Sequence, residues 1–200
     1  LVIIGGIRRI GEVAAVLVPG MCALYMICGA LILLFHAGDV PGAFATIVQK
    51  AFSLEAGAGG LVGTLIQGFR RAAFSNEAGV GSASIAHSAA RTEEPVREGI
   101  VALLEPFIDT IVVCTTTALV IVVTGAWNDP EAGTGITMTA YAFATVFPWF
   151  PKLLTMIAVL FAFSTMISWS YYGEQCWLYL FGRNSLLVYQ IVFLSFTFGG

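Results

Sequence analysis

Residues 70–85 read Arg70-Arg71-Ala72-Ala73-Phe74-Ser75-Asn76-Glu77-Ala78-Gly79-Val80-Gly81-Ser82-Ala83-Ser84-Ile85. The run lies inside an otherwise apolar segment, yet it carries a carboxylate, an amide, hydroxyls and two glycines where a membrane helix would carry aliphatic side chains. An unpaired polar group in hydrocarbon costs several kcal/mol, so irregular polar backbone persists there only against protein or a wet cavity. Gly79 and Gly81 allow the chain to leave helical geometry at low steric cost. A helix broken in this way exposes N–H and C=O ends that can hold an anion and a cation. The pattern predicts a solute site at mid-membrane.

Working outward, composition sets the class. Hydrophobic residues make up 58% and charged residues 10% of the 200, against roughly 45–50% and 25% in soluble domains. The chain is expected in a lipid bilayer as a multi-pass protein of the cell membrane. A net charge of -3, with nine basic residues that form no patch, gives no basis for a nucleic-acid partner. Cys22, Cys28, Cys114 and Cys176 all fall in apolar segments without metal-ligand spacing, and are expected as buried free thiols. The chain begins at Leu1 and stops at Gly199-Gly200 inside an apolar segment, which predicts the middle of a longer protein.

In order along the chain, 13–35 is free of charge and long enough to cross ~30 Å of hydrocarbon, with Pro19 as a candidate kink. Between 36 and 60, Phe44, Ile47, Val48, Ala51 and Phe52 recur at helical spacing, predicting a short interfacial helix. The second crossing is expected at 61–86, broken near 75–81, with Arg70 and Arg71 facing a vestibule or snorkelling outward. Charged residues in 87–99 predict a solvated connection. The third crossing, 100–124, places Glu105 and Asp109 at i and i+4 on one helix face, turned inward or toward the cytoplasmic end, with a proton relay as the sharper alternative. Residues 125–152 read as a long loop whose Trp127, Tyr141 and Trp149 suit an interfacial belt. The fourth crossing is 153–181, and 186–200 starts a fifth that is cut short. If Arg8, Arg9, Arg91, Arg97 and Arg183 are cytoplasmic, these crossings alternate consistently, leaving Lys50 and Lys152 outside.

Two long motifs carry a resemblance. The run Phe74 to Ser82, followed by Ala86-His87 and by Pro95-Val96-Arg97-Glu98-Gly99, resembles the sixth transmembrane region of the alanine or glycine:cation symporter family. The run Phe161-Ala162-Phe163-Ser164-Thr165-Met166-Ile167-Ser168-Trp169-Ser170-Tyr171-Tyr172-Gly173-Glu174 resembles its eighth helix, and Glu105 to Gly125 its seventh. The resemblance covers nearly the whole chain. It implies an all-α integral membrane protein with a leucine-transporter-like inverted-repeat bundle, of which 1–200 is a single transmembrane fragment with about four complete helices and part of a fifth.

Function follows as an expectation. From the residues alone, adjacent hydroxyls at Ser164 and Thr165 either bond their own helix or offer oxygen ligands to a hard cation. The resemblance implies the second, as part of a sodium site. It likewise implies that Phe74, Thr165 and Trp169 line a small amino-acid pocket. The substrate's carboxylate and ammonium would meet backbone and side chains at Ser75, Asn76, Glu77 and Gly79, while Phe74 and Trp169 limit side-chain size. The expected activity is sodium-coupled uptake of alanine, with glycine and serine as alternatives, by alternating access in the bilayer. Sodium is then the coupling ion and no cofactor is expected. A proton-coupled carrier using Glu77 or Glu105 is the alternative. No Ser/His/Asp or HExxH constellation supports an enzyme.

Overall fold

Apolar backbone of this length satisfies its hydrogen bonds in lipid only as helix, and helix dominates the chain. The structure, a computed structural model, describes residues 6–52, 60–75, 77 and 79–199, with no strand among them. Its helices are α1 (Gly6–Phe35), α2 (Val40–Ala51), α3 (Leu61–Ser75), α4 (Ala83–His87), α5 (Pro95–Ala102) and α6 (Leu104–Pro106). A π-helix then runs over Phe107–Cys114, followed by α7 (Thr115–Val123), α8 (Ile136–Ala144), α9 (Phe150–Phe181) and α10 (Leu186–Gly199). Three helical stretches among the described residues are long and apolar enough to cross a membrane: Arg9–Phe35, Pro95–Val123 and Phe150–Phe181. The expected crossing at 61–86 is not one of them, because its first helix stops at Ser75 after 15 residues.

The described residues fall into two compact units, each treated by itself. One lies within 22–81 and 92–155. Its core joins Cys28 and Ile32 of α1, Val120 of α7, Ala126, Ala132, Ala142, Phe143, Phe150 and Leu154. Phe143 stacks on Phe150 with ring centroids 4.2 Å apart, and Tyr25 leans on Phe143 at 5.2 Å. The Tyr25 hydroxyl is held 2.7 Å from the Thr117 hydroxyl, which itself donates to the Val113 carbonyl. Lipid tails are as apolar as leucine, so close packing and internal hydrogen bonds of this kind hold membrane helices together.

Residues 125–152 correct the expected loop. They form two 3₁₀ turns, Ala126–Asn128 and Pro130–Ala132, and the nine-residue α8. The turn signals Asn128, Asp129, Pro130 and Gly133 are real but brief. Asp129 closes the second turn by accepting from the Glu131 N–H at 2.9 Å, and it accepts from the Tyr141 hydroxyl at 2.6 Å, tying the turn to α8. The apolar residues beyond, Ala142 and Phe143, are fully buried.

The other unit is drawn from 6–21, 82–91 and 156–199. Ile10 of α1 packs with Ile167 and Tyr171 of α9, and Ile85 of α4 joins them. The α9–α10 contact depends on Gly173. A methyl there would fall 2.2 Å from the Tyr189 hydroxyl, which instead reaches the Ser170 carbonyl at 2.9 Å. The Trp177 indole N–H donates to the Ser185 hydroxyl at 2.9 Å. The four cysteines are free thiols, as expected, but only Cys28 is buried; Cys22 is half-buried, and Cys114 and Cys176 lie on the surface. An apolar span has no need to bury a thiol inside protein, because lipid covers it equally well.

Candidate functional site

In α3 the sequence builds a helix that carries Thr64 and Gln67 among apolar residues, reaches Arg70-Arg71 and then ends at Ser75. The backbone beyond Ser75 leaves helical geometry. Glu77 adopts φ 58, Gly79 φ 80 and Gly81 φ 84, and α4 starts only at Ala83. For the two glycines the left-handed region carries no steric cost. For Glu77 it costs about 1–2 kcal/mol, since its Cβ crowds the following carbonyl. A turn bonds the Val80 N–H to the Glu77 carbonyl at 3.1 Å. Glu77 is half-buried. Asn76 lies outside the described residues, as does the side chain of Phe74, so the roles expected of them have no geometry here.

Ser75 has a partner that the sequence did not suggest. Its hydroxyl donates a hydrogen bond to the carboxylate of Asp109. Asp109 sits in the π-helix, inside the apolar stretch Pro95–Val123. The i, i+4 face expected for Glu105 and Asp109 rests on α-helical geometry, whereas the backbone from Phe107 has the wider i→i+5 winding. Periodicity alone carries no signal for that change of winding.

In the other unit, Ser164, Thr165 and Trp169 lie on α9, with Thr165 and Trp169 four residues apart on one face. The hydroxyls of this helix divide into two groups. Ser168 donates to the Ser164 carbonyl at 3.1 Å and Ser170 to the Ile167 carbonyl at 2.6 Å. Among the described residues neither the Ser164 nor the Thr165 hydroxyl makes such a bond. Trp169 is 43% exposed and meets Tyr172 edge-to-face at 5.6 Å. An open apolar recess of about 400 Å³ lies further along the same unit, lined by Ile85, Gln175, Cys176, Tyr179 and Leu180. None of these five was expected at the site.

The expected site residues therefore fall into two sets. Ser75, Glu77 and Gly79 belong to the unit with α3, and Ser164, Thr165 and Trp169 to the unit with most of α9. Each set is a polar interruption of an apolar chain, one made by leaving the helix and one made within it.

Comparison with known proteins bears on the family of the chain. The profile of the sodium:alanine symporter family matches residues 1–200. The chain is 43% identical to the sodium/alanine symporter AgcS of Methanococcus maripaludis, over all of this chain and 45% of that protein. It is 37% identical to the probable sodium/glutamine symporter GlnT of Bacillus subtilis, over 86% of this chain and 36% of that protein. It is 31% identical to the sodium/proton-dependent alanine carrier protein of Bacillus sp. strain PS3, over 99% of this chain and 49% of that protein. The chain thus spans about half the length of the curated relatives it matches, or less. With its apolar helices and a family match from end to end, it is a multi-pass protein of the cell membrane and belongs to the sodium:alanine symporter family.

Proposed function

We propose that the protein is a sodium-coupled symporter of a small neutral amino acid, alanine first, that works by alternating access and performs no chemistry on its substrate. The observation that carries this reading is the helix break after Ser75, with Glu77, Gly79 and Gly81 all left-handed inside a chain matched to this family. Backbone that abandons its helical hydrogen bonds at membrane depth presents N–H and C=O groups to a zwitterion, which needs both.

Thr165, in the other unit, is assigned to substrate binding as well. Sodium is a co-substrate held by the Ser164 and Thr165 oxygens, and their lack of intrahelical bonds supports that role. Sodium can drive uptake only through a difference in its affinity for the outward- and inward-facing states. The bundle that performs the exchange is of the leucine-transporter-like, inverted-repeat type. Two of the relatives compared are named for alanine, which supports alanine before glycine, serine or glutamine.

The test is accumulation of radiolabelled alanine by proteoliposomes holding the full-length protein, under an inward sodium gradient and again with potassium in its place. Accumulation only with sodium is expected. Accumulation that ignores sodium but follows a pH gradient would replace this reading with proton coupling.

A further inference from the structure

Ser75 is the last residue of α3, and its hydroxyl proton is committed to the Asp109 carboxylate. A hydroxyl has one proton to donate and two lone pairs to accept with. Once the proton is given to a carboxylate, only acceptance is left, and a charge-assisted bond of this kind is about twice as strong as a neutral one. Ser75 is also the point from which the chain turns into the left-handed residues Glu77 and Gly79. A restraint at Ser75 therefore sets where the next backbone groups point.

Asp109 lies in an apolar span, where a carboxylate needs hydrogen-bond donors, and the Ser75 hydroxyl is one.

We propose that Asp109 is a positioning residue for substrate binding: it anchors the end of α3 through Ser75 and fixes the Ser75 oxygen as an acceptor, suited to the ammonium group of the amino acid and not to its carboxylate. The proposal rests on the transport reading above. Asp109 acts through Ser75, so its removal matters only while the serine is present.

The experiment is a double-mutant cycle in sodium-driven alanine uptake by the reconstituted full-length protein, using Ser75→Ala, Asp109→Ala and the pair, with Asp109→Asn and Asp109→Glu alongside. Asp109→Ala is expected to raise the alanine KM about tenfold, the size of one lost charge-assisted hydrogen bond, with the maximal rate within about twofold of wild type. Asp109→Asn keeps an acceptor oxygen and recovers most of that loss. In the Ser75→Ala background Asp109→Ala adds less than about twofold. Multiplied effects in the pair, or an Asn variant as impaired as the Ala variant, overturn the proposal. Should Asp109→Ala not fold, Asp109→Glu decides, since it keeps the charge but moves the acceptor by a methylene: a raised KM is expected and a wild-type KM overturns it. Wild-type vesicles that take up no alanine with sodium would instead overturn the transport reading itself.

Discussion

Helices α3 and α9 meet the same problem, polar residues in an apolar chain, and solve it in opposite ways. α3 ends after 15 residues, and the chain passes through three left-handed positions before α4 begins. α9 runs unbroken for 32 residues while carrying Ser164, Thr165, Ser168, Ser170 and Glu174. A continuous helix can absorb a hydroxyl because its own carbonyls accept the proton, as Ser168 and Ser170 show. It cannot offer backbone N–H groups, because each already donates within the helix. The break offers backbone, and the continuous helix offers side-chain oxygens.

The sharpest way to test that contrast is at Glu77. Replacing it with valine, whose branched Cβ is poorly tolerated at φ 58, should reduce alanine uptake to background, whereas Glu77→Gly should keep the turn; comparable surface expression with uptake measured side by side checks this. Full activity in the valine variant would mean that the left-handed turn is dispensable. On α9 the expected effect is smaller and of another kind. Ser164→Ala and Thr165→Ala should each raise the sodium concentration for half-maximal uptake about tenfold, the scale of one lost ligand, and Ser168→Ala, whose hydroxyl is spent on Ser164, should leave it unchanged. Equal effects at 164, 165 and 168 would erase the distinction drawn between these hydroxyls.

A third prediction concerns what holds α9 against its neighbour. Gly173→Ala must push the Tyr189 ring away and cost its bond to the Ser170 carbonyl, lowering stability by about 1 kcal/mol; the melting temperature of the purified protein reports it, and Tyr189→Phe should cost much the same. The smallest effect lies outside the spans. The Tyr141 hydroxyl holds the Asp129 carboxyl below its usual range, helped by the Glu131 N–H, and the same bond raises Tyr141 above its own. A depressed carboxylate stabilises above its ordinary value of ~4 and loses that contribution as pH falls through the lowered one. A raised phenol stabilises below ~10 and loses it as pH rises through the raised value. Ultraviolet titration of the wild type against Asp129→Asn should therefore show the Tyr141 transition move to lower pH in the variant.

Parts of this structure were legible in the residues because their signals are local. Charge-free length marked α1 and α9, and Gly79 and Gly81 stand where the helix has already stopped. Other parts depend on partners or on winding, which single-chain patterns do not record. Nothing about Glu77 distinguishes a left-handed glutamate from one on a helix. The π-helix changes the phase of its side chains without changing their composition, so Asp109 could not be paired with Ser75 from spacing. In 125–152 the turn residues outweighed the nine residues of α8, and the burial of Phe143 depends on Tyr25 and Phe150, the first of them distant in sequence. The Ser164 and Thr165 pair was visible, but which hydroxyls a helix consumes is decided by rotamers.

The length of α9 has a consequence for the membrane around it. At ~1.5 Å per residue, its 32 residues extend about 48 Å, well beyond the ~30 Å of hydrocarbon in a typical bilayer. Such a helix must lean or protrude, at fractions of a kcal/mol for each ångström of mismatch. Ser164 and Thr165 lie half-way along it, so a tilt about its centre moves the two ends and leaves this pair at its depth. Host lipids with longer acyl chains bring the helix upright and shorter ones lay it over, so bilayer thickness acts on the two ends of α9 and spares its middle, without changing a single residue.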